Sequence, residues 1–168
     1  MTTQETERDH WLNLPDPELL KECDQESCRS RGKGGQKVNK TSVAIRLTHR
    51  FSGISAEDDS SRSQHENRLH ALHKLRHNIA LQIRKEFSQD SVFQMEPAPA
   101  LSNHQRYSLW LATVLDCLAA NNWDPKETAL QLNTTRTHLL HLLFRDSAAW
   151  QYINIQRTQS GLYLLKGN

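Results

Sequence analysis

Long apolar runs are missing from this sequence, and so are the marks of a secreted protein. No stretch of about 18 apolar residues occurs, which is the length that a membrane-spanning helix needs. The first residues, MTTQETERDH, are polar and acidic, so they match neither the apolar core of a secretory signal nor an arginine-rich transit peptide. We therefore expect a cytoplasmic protein with no membrane partner.

Cysteine is scarce as well. The 3 cysteines, Cys23, Cys28 and Cys117, cannot all pair within one chain, and no second cysteine pair accompanies Cys23 and Cys28 to form a zinc site. Three histidines share one helical face at spacings of three and four: His70, His73 and His77. No carboxylate or cysteine is clearly placed to complete a metal shell with them, so we expect no metal and no cofactor.

Acidic residues are absent from one strongly basic segment. Seven basic residues and no acidic one occur between positions 29 and 50: Arg29, Arg31, Lys33, Lys37, Lys40, Arg46 and Arg50. Residues 1–28 reverse the balance, with eight acidic and two basic residues. Such a basic segment indicates a local site for polyanions, although a solvated positive loop has the same composition.

The first half of the chain has the pattern of a mixed α and β domain. In chain order we predict a loose polar segment, a short helix, three strands and a long helix, at residues 1–12, 15–23, 24–29, 43–48, 54–58 and 63–87. Val43, Ile45 and Leu47 show strand periodicity, and Gly53 marks a hairpin turn. Apolar residues three and four apart predict the long helix, whose apolar stripe would cover the sheet.

The second half is predicted to be helical. Residues 88–104 break every period and are the best linker candidate, so we divide the chain into an N-terminal extension and short helix, an α+β domain, this linker and an all-α domain, at 1–19, 20–87, 88–104 and 105–168. Asp124 and Pro125 begin a helix that residues 133–135 interrupt. A second helix at 137–144 completes a helix-turn-helix pattern, and a last helix is predicted at 147–159.

The loop SRGKGGQKVNKT is the segment with the most distinctive chemistry. Gly34 and Gly35 allow backbone conformations that are closed to other residues, and Gln36 follows with a donor and an acceptor group. Main-chain N–H groups in a glycine turn can stabilise a developing oxyanion. Taken alone, however, these glycines fit a phosphate cradle or a simple turn better.

A joint motif surrounds this loop. Its elements are Arg29-Ser30, Gly32, Gly34-Gly35-Gln36, Val38-Asn39, Thr41, Ala44, Arg46, Thr48-His49, Gly53-Ile54, Arg62-Ser63-Gln64 and Asn67. In residue types and spacing, this stretch resembles the catalytic domain of the class I peptide chain release factors. The resemblance implies a small β-α-β-β-α domain whose loop tip enters the ribosomal peptidyl-transferase centre and promotes attack of water on the peptidyl-tRNA ester.

The resemblance also implies roles for individual residues. It makes Gly34, Gly35 and Gln36 catalytic, with the Gln36 N–H stabilising the transition state, and it names the ribosome (rRNA) and peptidyl-tRNA as partners. Five residues are expected to contact RNA phosphates: Arg29, Arg31, Lys33, Lys37 and Lys40. Six are expected to support the loop: Gly32, Asn39, Thr41, Arg62, Ser63 and Gln64. His49 is expected to be structural.

The chain also departs from the family. Codon-reading release factors carry further domains that recognise stop triplets, and no tripeptide here matches their motifs. Codon-independent rescue factors end in a Lys/Arg-rich tail, whereas residues 105–168 are predicted to be helical. We expect codon-independent peptide release, as in ribosome rescue.

Two alternatives to this function remain open from the sequence. The first is a non-catalytic RNA- or DNA-binding module that uses the basic loop and the C-terminal helix-turn-helix, and the second is a hydrolase of free peptidyl-tRNA. The C-terminal helices could add a nucleic-acid or protein contact through residues 134–138, which include Arg136 and His138.

Overall fold

The first part of the chain contains both helices and strands, and the part after it contains only helices among the described residues. A computed structural model of the chain describes residues 3–28, 44–87 and 96–166. It contains α1 Thr3–Asn13, α2 Asp16–Lys21, β1 Cys23–Cys28, β2 Ala44–His49, β3 Ser55–Asp58, α3 Gln64–Gln82, α4 His104–Ala120, α5 Pro125–Gln131, α6 Arg136–Phe144 and α7 Ser147–Gln159. These elements form two compact units, Thr2–Gln82 and Ile83–Asn168. The predicted α+β class with a helical C-terminal region is confirmed.

The first unit is built on a three-stranded antiparallel sheet in the order β1-β2-β3. Ala44, Ile45 and Leu47 of the central strand are 0% exposed, and α3 packs against β2 and β3. The β2–β3 turn contains Gly53 at φ +69°, a left-handed conformation that favours glycine, so the predicted hairpin is confirmed. The helix that the resemblance implies between the first two strands would fall in residues 29–43, outside the described residues.

The N-terminal segment is helical, and the prediction that residues 1–12 are loose was wrong for α1. Trp11 and Leu12 are 2% and 0% exposed, and α1 packs against α3. The guanidinium of Arg76 in α3 donates hydrogen bonds to the carbonyl oxygens of Leu12 at 2.7 Å and Leu14 at 2.8 Å. These bonds satisfy carbonyl groups that the end of a helix leaves without an intrahelical partner.

The same guanidinium also holds the second helix. Arg76 is 0% exposed, and its Nη2 lies 2.8 Å from Oδ1 of Asp16 at the start of α2. Burial lowers the pKa of Arg76, but the hydrogen bond and the charge of Asp16 oppose that effect. Burial raises the pKa of Asp16, yet hydrogen bonds from His73 and Arg76 outweigh it and leave the pKa below its ordinary value. One side chain therefore fastens both N-terminal helices to α3.

α3 is shorter than predicted. It ends at Gln82 rather than at residue 87, although the apolar spacing continues. The carboxylate of Asp116 in α4 accepts a hydrogen bond from the Lys85 N–H at 3.0 Å and another from Arg84 Nη1 at 3.0 Å. Because the Lys85 N–H is bound there, the helical ladder cannot continue through it, and residues 83–87 belong to the second unit.

Side-chain caps set the helix bounds in the second unit. The Asp124 carboxylate accepts from the Lys126 N–H at 2.8 Å, with Pro125 in the first turn, so the predicted start of α5 is confirmed. The break after it holds Asn133 at φ +51°, and Thr135 Oγ1 then caps α6 by accepting from the His138 N–H at 3.2 Å. No described helix is long and apolar enough to cross a membrane.

His49 has the structural role that was predicted, because its ring contacts Ser52 in the hairpin turn and Glu22 before β1. It is 0% exposed; its Nδ1 lies 2.8 Å from Ser52 Oγ, and its Nε2 lies 3.3 Å from Oε2 of Glu22. The Ser52 N–H donates to the same Nδ1 at 3.3 Å, which makes that nitrogen the acceptor of the neutral ring. Burial lowers the pKa of His49 below 6.5, although hydrogen bonding to Glu22 opposes the shift.

The clamp formed by Arg76 predicts a local loss of stability. Arg76→Met should lower the free energy of unfolding of the Thr2–Gln82 unit by about 3 kcal/mol, because it leaves buried carbonyl oxygens and a carboxylate without their donor. The measurement is urea-dependent thiol labelling with mass spectrometry in a Cys28→Ser background. Buried Cys23 reports the first unit and buried Cys117 reports the second.

In this experiment Arg106→Met, at an exposed position of the second unit, is the control and should leave both labelling curves unchanged. Equal shifts for Cys23 and Cys117, or no shift for Cys23, would contradict the clamp.

The buried imidazole predicts a pH dependence. Because the pKa of His49 is lower in the folded than in the unfolded chain, the unfolded chain binds the extra proton first. The contribution of His49 to stability should therefore be complete above pH 6.5 and should decline as the pH falls below that value. His49→Gln should flatten the urea midpoint of the first unit between pH 5 and 7, followed by NMR intensities of its amides, whereas exposed His65→Gln should not.

Candidate functional site

The candidate site is attached to the end of the sheet at which β1 finishes and β2 starts. Cys28, the last residue of β1, pairs with Ala44, the first residue of β2. The 15 residues between them, 29–43, therefore leave and re-enter the sheet at the same end. Gln36 is the middle residue of this segment.

Most of the predicted site residues belong to that segment and lie outside the described residues. They are the catalytic Gly34, Gly35 and Gln36, the RNA-binding Arg29, Arg31, Lys33, Lys37 and Lys40, and the loop-supporting Gly32, Asn39 and Thr41. Three further loop-supporting residues, Arg62, Ser63 and Gln64, are described and lie at the start of α3.

The start of α3 lies at the same end of the sheet as the candidate segment. β3 runs antiparallel to β2, and Asp58 at its end pairs with Ile45 near the beginning of β2. Only residues 59–63 separate Asp58 from the first residue of α3. The sheet register thus brings the predicted supporting residues near the base of the segment that starts after Cys28.

The turn before α3 is fixed by side-chain hydrogen bonds. Asn67, which is 0% exposed, accepts from the Ser61 N–H at 2.8 Å and donates through Nδ2 to the Ser61 carbonyl oxygen at 2.8 Å. Ser63 Oγ accepts from the Glu66 N–H at 3.3 Å, which is the hydrogen bond of a helix N-cap. Arg62 and Gln64 are exposed, and their support of the loop stays a prediction.

A buried carboxylate ties the end of β3 to α3. Asp58 is 4% exposed; Lys74 Nζ of α3 lies 2.6 Å from its Oδ2, and Ser60 Oγ donates to its Oδ1 at 2.6 Å. Burial raises the pKa of Asp58, but the hydrogen bonds from Lys74 and Ser60 outweigh it and lower the pKa to about 2. At neutral pH Asp58 is therefore an anion that ties the end of β3 to α3 through Lys74.

Two of the four histidines on α3 lie beside different carboxylates. His70 Nδ1 lies 3.4 Å from Oδ1 of Asp58, whereas His73 Nε2 lies 3.1 Å from Oδ2 of Asp16. In the described part of the chain, no group of three or more histidine, cysteine, aspartate or glutamate residues could hold a metal ion. His70 and His73 therefore make separate structural contacts.

The sequence pattern did not predict that Asp58, Ser61 and Lys74 shape this end of the sheet. A signal was present, because the run Asp58-Asp59-Ser60-Ser61 consists of residue types that bind nearby backbone groups in turns and helix caps. Lys74 had no such signal. Its role depends on the packing of α3 on the sheet, which brings it to Asp58.

The paired hydrogen bonds of Asn67 predict a sharp effect of an isosteric change. Asn67→Asp should lower the stability of the first unit by about 2 kcal/mol, because a carboxylate cannot donate to the Ser61 carbonyl oxygen. The control is Asn78→Asp, since the Asn78 amide also donates to a carbonyl oxygen, that of Ser55 at 3.1 Å, but in an exposed position. Urea unfolding of both variants checks this, and equal losses would contradict the role of Asn67.

Comparison with known proteins places this site in a family. The chain is 36% identical over 78 residues to peptide chain release factor 2 of Bordetella avium, covering 46% of the chain and 21% of the relative. It is 46% identical over 59 residues to peptide chain release factor 2 of Neorickettsia sennetsu, covering 34% and 16%. It is 45% identical over 64 residues to peptide chain release factor 1 of Blochmanniella floridana, covering 38% and 18%.

These relatives are much longer proteins, and the chain spans only about a fifth of their length. A family model described as the RF-1 domain matches residues 19–106, which contain the three strands, α3 and the Gly-Gly-Gln segment. As this match covers more than half of the 168 residues, the chain belongs to the RF-1 domain family.

Proposed function

We propose that this chain hydrolyses the ester between a nascent peptide and tRNA in the peptidyl-transferase centre of the ribosome, without reading a stop codon. One observation carries the proposal. In a member of the RF-1 domain family, Gly34-Gly35-Gln36 stands at the middle of a segment whose ends, Cys28 and Ala44, are paired in the sheet.

The length of the segment supports insertion into a narrow site. Seven residues lie on each side of Gln36 between the paired strand ends. An extended chain spans about 3.4 Å per residue, so Gln36 can extend at most about 25 Å from the sheet. A segment of that reach can carry its tip into a channel that excludes the rest of the unit.

The proposed chemistry balances with water as the only co-reactant. The water oxygen bonds to the ester carbonyl carbon, the bond to the tRNA ribose oxygen breaks, and that oxygen leaves as a hydroxyl. The main-chain N–H of Gln36 donates to the oxyanion that forms between these steps, and Gly34 and Gly35 permit its approach. We assign proton transfer to the RNA groups around the ester, so the activity requires the ribosome.

The basic residues would hold the segment against RNA. Arg29, Arg31, Lys33, Lys37 and Lys40 flank the Gly-Gly-Gln tip on both sides without an intervening acidic residue. Contacts between such residues and phosphates depend strongly on salt and carry little sequence information. They suit a task in which the surrounding RNA, rather than the protein, positions the substrate.

Codon independence is proposed from the part of the chain that follows the family match. The RF-1 domain match ends at residue 106, and the described residues after it form α4 to α7. In this interpretation the helical unit brings the chain to ribosomes that lack a stop codon.

The catalytic proposal predicts the behaviour of two loop variants. Gly35→Ala and Gln36→Pro should each slow peptide release from ribosomes stalled on a truncated message by about 100-fold or more, because a β-carbon at position 35 displaces the N–H donor and proline at position 36 has none. Purified chain, stalled ribosomes and labelled peptidyl-tRNA suffice for the measurement. Gln25→Ala, at an exposed glutamine of β1, is the matched control and should release peptide at the wild-type rate.

Further arms of this assay separate the alternatives. A stop codon in the decoding site should leave the rate unchanged, and peptidyl-tRNA without ribosomes should stay intact. Ribosome binding by the wild type with no release above background would instead indicate a non-catalytic RNA-binding module. Hydrolysis of free peptidyl-tRNA would contradict the requirement for the ribosome.

A further inference from the structure

A groove of about 730 Å³ opens on the Ile83–Asn168 unit between α6, α7 and the chain that follows α7. After α7 the chain reverses at Gly161, whose φ is +73°, and the Leu162 N–H donates to the Arg157 carbonyl oxygen at 2.8 Å. Farther on, the Leu165 N–H donates to Asn154 Oδ1 at 2.7 Å. These bonds fix the returning chain as one wall of the groove.

Positive charge is concentrated in this groove. Its lining includes Arg136 from α6, Arg157 from α7 and Lys166 from the returning chain, and no aspartate or glutamate among the residues that the structure describes. The nearby carboxylate of Asp146 is 9% exposed and is used inside the unit, where it caps α7 and accepts from Tyr107 Oη at 2.9 Å. Charge complementarity therefore favours an anionic occupant.

Aromatic rings lie in the same groove as these cations. Phe144 is 49% exposed, and its ring meets that of Trp150 edge to face at a centroid distance of 5.2 Å. Leu164, which is 63% exposed, lines the groove as well. Exposed rings beside cations are the combination with which proteins bind single-stranded nucleic acid, because bases stack on the rings while phosphates meet the charges.

The start of α6 adds main-chain donors to the groove. Thr135, Arg136 and Thr137 all line it, and this end of a helix carries partial positive charge. A helix start alone does not indicate a binding site, but this one lies in the same groove as cationic side chains from three separate elements. A duplex would need several base-reading side chains on one protruding helix, whereas α6 contributes a single arginine.

We propose that this groove binds single-stranded RNA, with phosphates at Arg136, Lys166 and the start of α6, and with a base stacked against Phe144. Its concave shape and its charges from separate elements fit a flexible strand better than a rigid duplex. The choice of RNA over DNA rests on the proposed function at the ribosome.

Photocrosslinking of the full chain locates the contact. Short single-stranded RNA that contains 4-thiouridine is irradiated with the protein, which is then digested with trypsin and analysed by mass spectrometry. We expect crosslinked peptides 137–145 and 146–157, which contain Phe144 and Trp150. Crosslinks confined to residues before 83 would overturn the proposal.

Affinity measurements test the charges and the ring separately. They are made in a full chain in which glutamine replaces Arg29, Arg31, Lys33, Lys37 and Lys40, so that the basic loop contributes little. Arg136→Gln with Lys166→Gln should weaken RNA binding about tenfold and reduce the salt slope by about 1.4. Phe144→Leu should weaken binding about tenfold through loss of stacking.

A matched control separates local contact from total charge. Lys126→Gln with Arg145→Gln removes two exposed cations of the same unit that do not line the groove, and it should change affinity less than about twofold. Equal losses in the two double variants would overturn the proposal. Tighter binding of duplex DNA, of single-stranded DNA or of a glutamate-rich peptide than of RNA would also overturn it.

The groove and the release activity can fail independently. Gln36→Ala should keep the crosslinks in residues 137–157, because the groove does not include the loop. Crosslinks in that range together with absent release would count against the proposed function alone. Release with no crosslinks in that range would count against the groove alone.

Discussion

The antiparallel pairing of β1 with β2 is the constraint on which the candidate site depends. Closing a segment of 15 residues costs chain entropy, and the backbone ladder from the pair Cys23 and His49 to the pair Cys28 and Ala44 offsets that cost. The ladder persists only while α3 covers the sheet, and Arg76 of α3 holds the two N-terminal helices on this assembly. The buried guanidinium of Arg76 thus contributes to the stability of the sheet in which Cys28 and Ala44 pair.

Local patterns predicted the parts of the fold that local forces determine. The last helix was predicted at the bounds it has, since Asp146 caps it from the preceding position. The N-terminal helix and the end of α3 were predicted wrongly, because Arg76 and Asp116 decide them through residues that are distant in sequence. The residue pattern of α1 cannot predict that the guanidinium of Arg76 will bind carbonyl groups at the end of that helix.

The candidate site shows the same division between local and distant causes. Its motif pointed to residues 29–43 and to the start of α3 from residue types alone, and the register of β3 puts the start of α3 at the end of the sheet where β1 finishes and β2 starts. The cations of the groove could not be predicted, because Arg136, Arg157 and Lys166 lie on three elements that converge only when the chain reverses at Gly161. The spacing of these three residues along the sequence does not predict that the reversal brings them together.

The two units suit different parts of one task under the functions proposed here. Stabilisation of the transition state by a main-chain N–H does not depend on the side chains of the peptide. Phosphate contacts by the basic segment depend very little on base sequence. Neither interaction distinguishes a ribosome that needs release from one that does not. A second surface must therefore make that choice, and a groove that stacks a base and pairs with phosphates can distinguish an unpaired RNA strand from a folded one.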